Sequence, residues 1–122
     1  MEIQTFETQV AEIPDVPGAT AVSIKGVARY PQVPKLRQVI LDEIDSTPAS
    51  RVVIELGQVT EMDTSGAAVL VEALLLGRER GKKILLCSPS ESVLRMFRLA
   101  GFEDALKASC SSPAETRRRL LA

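Results

Sequence analysis

The chain has 122 residues, 45% of them hydrophobic but only 3% aromatic, with no Trp; this suits one domain with an aliphatic core and leaves little room for two. The balance of 15 basic against 16 acidic residues, a formal charge of -1, argues against a nucleic-acid binder or an anionic-membrane binder. The lack of any His excludes Ser-His-Asp and Cys-His catalytic sets and histidine-based zinc sites, and the separated Cys87 and Cys110, in no C-x-x-C pair, read as free thiols of a reducing compartment.

The segment 1–7 is acidic and mixed, with neither the basic nor the apolar region of a signal peptide, so none is expected. A first strand is predicted over 3–10, followed by a turn at Pro14, Pro17 and Gly18. Residues 19–26 are rich in β-branched and small residues and read as a second strand. The run 30–34 holds Pro31 and Pro34 and is read as a loop, with Pro34 opening a helix at its first position. Leu36, Val39, Ile40 and Ile44 recur at spacings of three and four, which predicts a helix over 34–45 stopped by Thr47-Pro48.

Residues 51–56 read as a buried strand and 58–62 as a connector. A helix is predicted over 64–80, opened by Asp63 and Thr64 and closed by Arg78, Arg80 and Gly81. Its apolar run, 67–76, is interrupted by Glu72 and falls short of the roughly 20 residues of a membrane span. The expected protein is therefore soluble and cytoplasmic, without membrane insertion. Residues 82–87 form another predicted buried strand. Ser88-Pro89-Ser90-Glu91 then reads as a capping Ser, a Pro at the first helical position and a Glu at the third, opening a helix with Val93, Phe97 and Ala100 on one side. Ser112-Pro113-Ala114-Glu115 repeats that signal before a last helix carrying Leu120 and Leu121.

Strands separated by single helices imply parallel crossovers in one sheet. The expected fold is a single α/β domain over 1–122, a mixed and mostly parallel sheet of about four to five strands with about four helices mainly on one face.

Asp63-Thr64-Ser65-Gly66 stands at a strand-to-helix junction. Local chemistry alone explains it as a helix cap, in which a side-chain oxygen accepts from an otherwise orphan N–H. Gly66, Ala67 and Ala68 keep the helix start flat, either for close approach by another chain or for packing on the sheet. As an enzyme, the chain would have to draw on Glu55, Glu61 and Asp63 as a carboxylate set, and Glu55 nears Glu61 only if the connector folds back. No phosphate-binding loop occurs, since Gly77 to Gly81 is a helix end. Arg117-Arg118-Arg119 reads as a solvated face of the last helix.

Residues 52–102 resemble the STAS domain family and, within it, the bacterial anti-sigma factor antagonists. The resemblance is carried by the strand Val52-Val53-Ile54-Glu55-Leu56, by Val59-Thr60-Glu61-Met62-Asp63-Thr64-Ser65-Gly66 and the apolar helix after it, by Gly81-Lys82-Lys83, by Cys87-Ser88-Pro89, and by Val93, Phe97 and Ala100-Gly101-Phe102. It implies a non-enzymatic binding domain that needs no cofactor or metal. In the family the hydroxyl residue directly after the Asp is phosphorylated, which here is Thr64, with Ser65 a secondary acceptor. Asp63, Thr64, Ser65, Gly66 and Ala67 are then the implied partner-binding residues. The implied partners are an anti-sigma factor kinase, which the unphosphorylated form binds so that a sigma factor is freed, and a PP2C-type phosphatase that resets the switch. A phosphate at the positive end of a helix dipole would not melt the helix, so the switch is expected to act by occlusion and repulsion at the docked surface. Where the family carries Gly-Glu-Leu-Asp after the second strand, this chain reads Gly26-Val27-Ala28-Arg29 and keeps only the Gly. That departure keeps open a second role for the family, as a subunit of a lipid-transport ABC complex or a stress-sensing assembly.

Overall fold

The computed structural model describes residues 5–122. Along the chain run β1 (Phe6–Glu12), β2 (Ala19–Ala28), α1 (Val33–Ser46), β3 (Arg51–Met62), α2 (Thr64–Glu79), β4 (Lys83–Cys87), α3 (Glu91–Leu99), a 3-10 turn (Glu103–Ala108), β5 (Ser109–Cys110) and α4 (Pro113–Leu121). The strands lie in the order β1-β2-β3-β4-β5. β1 is antiparallel to β2 and the three remaining pairings are parallel, as single-helix crossovers require.

Alternation along the strands divides the core. Val52, Ile54 and Leu56 of β3 and Ile84 and Leu86 of β4 face one side, where they meet Leu36, Ile40 and Ile44 of α1, Ala67, Leu70 and Ala73 of α2, and Val93 and Phe97 of α3. Val53 of β3 and Leu85 and Cys87 of β4 face the other side, beneath Leu120 of α4 and Val16 of the β1–β2 loop. Both faces of the central strands are thus buried, which is why β3 and β4 read as continuous apolar runs. Three helices lie on one face and α4 alone on the other.

The structure corrects several expectations. The segment 58–62 is strand rather than connector: β3 continues to Met62, paired with β2 as far as Ala28, past two shifts of register. Its outer part is hard to read because Gly57, Gln58, Thr60 and Glu61 are exposed, and only Val59 and Met62 point into the core. β1 extends to Glu12, and the part of the predicted first strand at Ile3 and Gln4 lies outside the described residues. Helix α1 begins at Val33, so Pro34 is its second residue. The cap of α3 is Ser90, not Ser88: the Ser90 hydroxyl accepts from Val93 N–H at 3.4 Å, while Ser88 has a positive φ of 49° that takes it out of the helix start. At α4 the predicted cap holds, with Ser112 accepting from Glu115 N–H at 3.1 Å.

Candidate functional site

The sheet delivers the end of β3 against the end of β2, and α2 springs from that junction. Asp63 has extended backbone geometry and is the N-cap of α2. Its Oδ1 accepts from Gly66 N–H at 2.9 Å and from the Ser65 hydroxyl at 2.6 Å. Its Oδ2 accepts from the backbone N–H of Tyr30, 33 residues earlier, at 3.0 Å. The Asp63 N–H in turn donates to the Ala28 carbonyl at 3.4 Å. One carboxylate therefore serves two duties, capping the start of α2 and fastening the β2–α1 turn to it. Burial pushes the Asp63 carboxyl up, but hydrogen bonds from Ser65, Tyr30 and Gly66 together outweigh it and hold the group below the usual carboxylate range.

Gly66 is the third residue of α2 and is buried. A Cβ there would be driven into the Ala28 carbonyl oxygen and would press on Met62 Cγ at 3.1 Å. The glycine lets α2 lie directly on the backbone of β2. Ala67 is fully buried in the core behind it, and Ala68 is on the exposed side.

The two hydroxyls of the motif differ. The Ser65 hydroxyl is half-buried and donates to Asp63. Thr64 is exposed, and its hydroxyl has one contact, the Met96 thioether of α3 at 3.8 Å, a weak acceptor at long range. Thr64 thus carries the more exposed and less engaged of the two hydroxyls. Ser65 is committed to the fold.

Around it, Arg29, just past the end of β2, pairs with Glu61 of β3 at 3.2 Å, and Tyr30 is 72% exposed. Sequence reading did not single out Ser90 and Ser92 as anchors. Their hydroxyls donate to the Val59 and Thr60 carbonyls, both at 2.8 Å, tying α3 to the outer half of β3. The only local signal was a pair of hydroxyls in a first helical turn.

The alternative carboxylate set is not assembled. Glu55 and Glu61 lie six residues apart on one strand, roughly 20 Å at the usual rise, and Glu61 is engaged by Arg29. Among the described residues no group of three or more His, Cys, Asp or Glu is placed to hold a metal ion, and no helix is long and apolar enough to cross a membrane. Of the three basic residues on α4, Arg117 and Arg118 are exposed. Arg119 is instead structural: its guanidinium donates to the Ser109 carbonyl at 2.7 Å and the Lys107 carbonyl at 3.1 Å. Cys87 and Cys110 are free, buried and opposite each other on β4 and β5. Burial pushes the Cys87 thiol up, against hydrogen bonds from Ser88 and Thr116.

A model of the STAS domain matches residues 9–115. Among solved structures, the anti-sigma factor antagonist SpoIIAA in its unphosphorylated form is similar over 94% of this chain and 96% of its own, at 16% identity and a TM-score of 0.71. SpoIIAA, described as a Bacillus cell fate determinant, is also similar in its phosphorylated form, over 93% and 99% of the two chains, at 15% identity and a TM-score of 0.67. A sulfate transporter family protein from Wolinella succinogenes is similar over 86% of each chain, at 16% identity and a TM-score of 0.72. At these identities the structural likeness is one of fold.

Proposed function

The chain belongs to the STAS domain family, and we propose that within it this protein is an anti-sigma factor antagonist, a cytoplasmic binding module switched by phosphorylation rather than an enzyme. In the unphosphorylated state it binds an anti-sigma serine/threonine kinase and so frees a sigma factor. Phosphorylation of Thr64 ends that binding, and a PP2C-type phosphatase restores it. One observation carries the reading: the Thr64 hydroxyl stands exposed on the first residue of α2, held only by a thioether, while both oxygens of its Asp63 neighbour and the Ser65 hydroxyl are engaged within the fold. The segment Asp63, Thr64, Ser65, Gly66 and Ala67 is the proposed partner-binding element. Thr64 is its accessible group, and the others fix its position. Ser65 is a secondary acceptor, reached only after its bond to Asp63 is broken.

The added phosphate brings roughly -1.5 to -2 charge units to a place already flanked by Asp63 and Glu61. A helix start tolerates that charge, so α2 remains folded and the effect falls on the docked partner. The second reading, a subunit of a lipid-transport or stress-sensing assembly, is favoured by the Arg29-Tyr30 pair standing where antagonists carry an acidic turn.

The test is affinity capture from the native organism with wild type, Thr64→Ala and Thr64→Glu, with phosphosite mapping. The expected result is a kinase retained by Thr64→Ala, lost with Thr64→Glu, and phosphate on Thr64 of the wild type. Capture of membrane-transport subunits regardless of the charge at position 64 would overturn the antagonist assignment.

A further inference from the structure

β1 is an edge of the sheet, with β2 on one side and, among the described residues, no strand on the other. Which of its backbone groups face outward follows from the pairing. The Ile13 N–H donates to the Ala19 carbonyl at 3.3 Å, and the Val27 N–H to the Thr5 carbonyl at 2.9 Å. Antiparallel partners exchange such bonds at every second residue. In the register that sets Phe6 opposite Gly26, the odd-numbered residues therefore bond to β2. The N–H and C=O of Phe6, Thr8, Val10 and Glu12 point to the open edge. Natural edges are kept open by Pro, Lys, a bulge or shortness. β1 has none of these: it runs from Phe6 to Glu12 without a shift of register, and its last four residues, Gln9 to Glu12, are all exposed. Its only charges are Glu7, opposite Lys25, and Glu12 at the end. Val10, on the helix side of the sheet opposite Val22, is 47% exposed.

We propose that β1 pairs antiparallel with β1 of a second copy of this chain, about a two-fold axis at Gln9, so that the two sheets become one. In this register Phe6 meets Glu12 of the second copy and Thr8 meets its Val10, and every outward N–H and C=O named above gains a partner. Glu7 comes opposite Ala11 and Gln9 opposite its own counterpart, so no like charges face each other. The exposed Val10 gains its counterpart as a diagonal neighbour on the helix side. A slip of two residues one way sets Phe6 against Pro14, which has no N–H, and the other way takes Glu12 past the start of β1. The edge is thus complementary to itself, which is what favours a second copy over an unrelated strand. Thr64 follows β3, two strands in from this edge, so the inference stands apart from the reading of Thr64 as a switch.

The test is sedimentation of the full chain over about two decades of concentration. The expected mass moves from 13.2 kDa toward twice that value as concentration rises. Thr8→Pro removes an N–H that β2 does not use, so the fold is kept, while the pairing should weaken at least tenfold, by roughly 1 kcal/mol for each of the two bonds lost. Gln9→Cys tests the register. Opposite residues at a non-hydrogen-bonded position lie about 4.5 Å apart, within the reach of a disulfide, and the native Cys87 and Cys110 are buried. Oxidation with copper phenanthroline should therefore cross-link Gln9→Cys and spare Glu7→Cys, whose two copies lie roughly 14 Å apart. A wild type that stays monomeric throughout would overturn the proposal and leave the edge to another protein's strand. So would a dimer indifferent to Thr8→Pro, or equal cross-linking at positions 7 and 9.

Discussion

The start of α2 and the start of α4 are built from the same local code and do different work. Both have a short polar cap, Asp63 in one and Ser112 in the other, accepting from an N–H three residues on. Both hold a carboxylate below its usual range through hydrogen bonds. At α4 those bonds are local: Glu115 accepts the Ser111 N–H at 2.8 Å and the Ser111 hydroxyl at 2.7 Å, four residues away. At α2 the carboxylate also reaches Tyr30, 33 residues away. A cap is therefore no sign of function by itself. What sets α2 apart is that its cap clamps a second element, and that the hydroxyl beside the cap is left over.

The contrast breaks most visibly at Gly66. Gly66→Ala should destabilise the fold by about 3 kcal/mol, because the added methyl meets the Ala28 carbonyl rather than a side chain that can turn away. Urea denaturation measures it, and an effect below about 1 kcal/mol would mean that α2 does not rest on β2 as described.

Asp63→Ala should follow, at about 2 kcal/mol, since it removes a cap and leaves the Tyr30 N–H without its partner. Ser112→Ala should cost about 1 kcal/mol, the loss of a cap alone. Equal losses at the two positions would erase the distinction between the helix starts.

Acid should act at the same point. The folded Asp63 carboxyl lies below its unfolded value, so its contribution is complete above the ordinary aspartate range and is lost as pH falls through the depressed folded value. Asp63→Asn should flatten this part of the decline in urea midpoint between pH 7 and pH 3. An unchanged acid limb would assign the decline to other carboxylates, Glu115 among them.

The smallest effect is expected at Thr64. Thr64→Ala gives up only the long contact to Met96 and should stay within about 0.5 kcal/mol of wild type, which makes it a clean probe for partner capture. A larger loss would show that the hydroxyl is needed by the fold and is not spare.

The arrangement of strands and helices was open to sequence reading because the signals were strong and local: apolar strands 51–56 and 82–87, the stripe of Leu36, Ile40 and Ile44, and the cap at Ser112. What escaped depends on partners distant in sequence. The outer half of β3 is polar on its exposed side and is strand only because β2 lies alongside it. β5 is two residues long and exists as the edge partner of β4. Ser90 became the cap in place of Ser88 through a backbone conformation that no residue type announces. At the candidate site, the helix cap at Asp63 was legible from residue types, whereas the different engagement of the Thr64 and Ser65 hydroxyls within the fold was not; only the family resemblance had set the two apart. That difference follows from which hydroxyl the Asp63 carboxylate captures.

The turn after β2 touches the motif through its main chain, by the Ala28 carbonyl and the Tyr30 N–H. Every amino acid carries the first group, and every one except proline carries the second. The clamp therefore survives a wholesale change of side chains at positions 29 and 30. The side chains of the turn beside Thr64 can therefore be exchanged while Asp63 and the start of α2 keep their place against β2, so the surface next to the helix start can vary without any change in the helix itself.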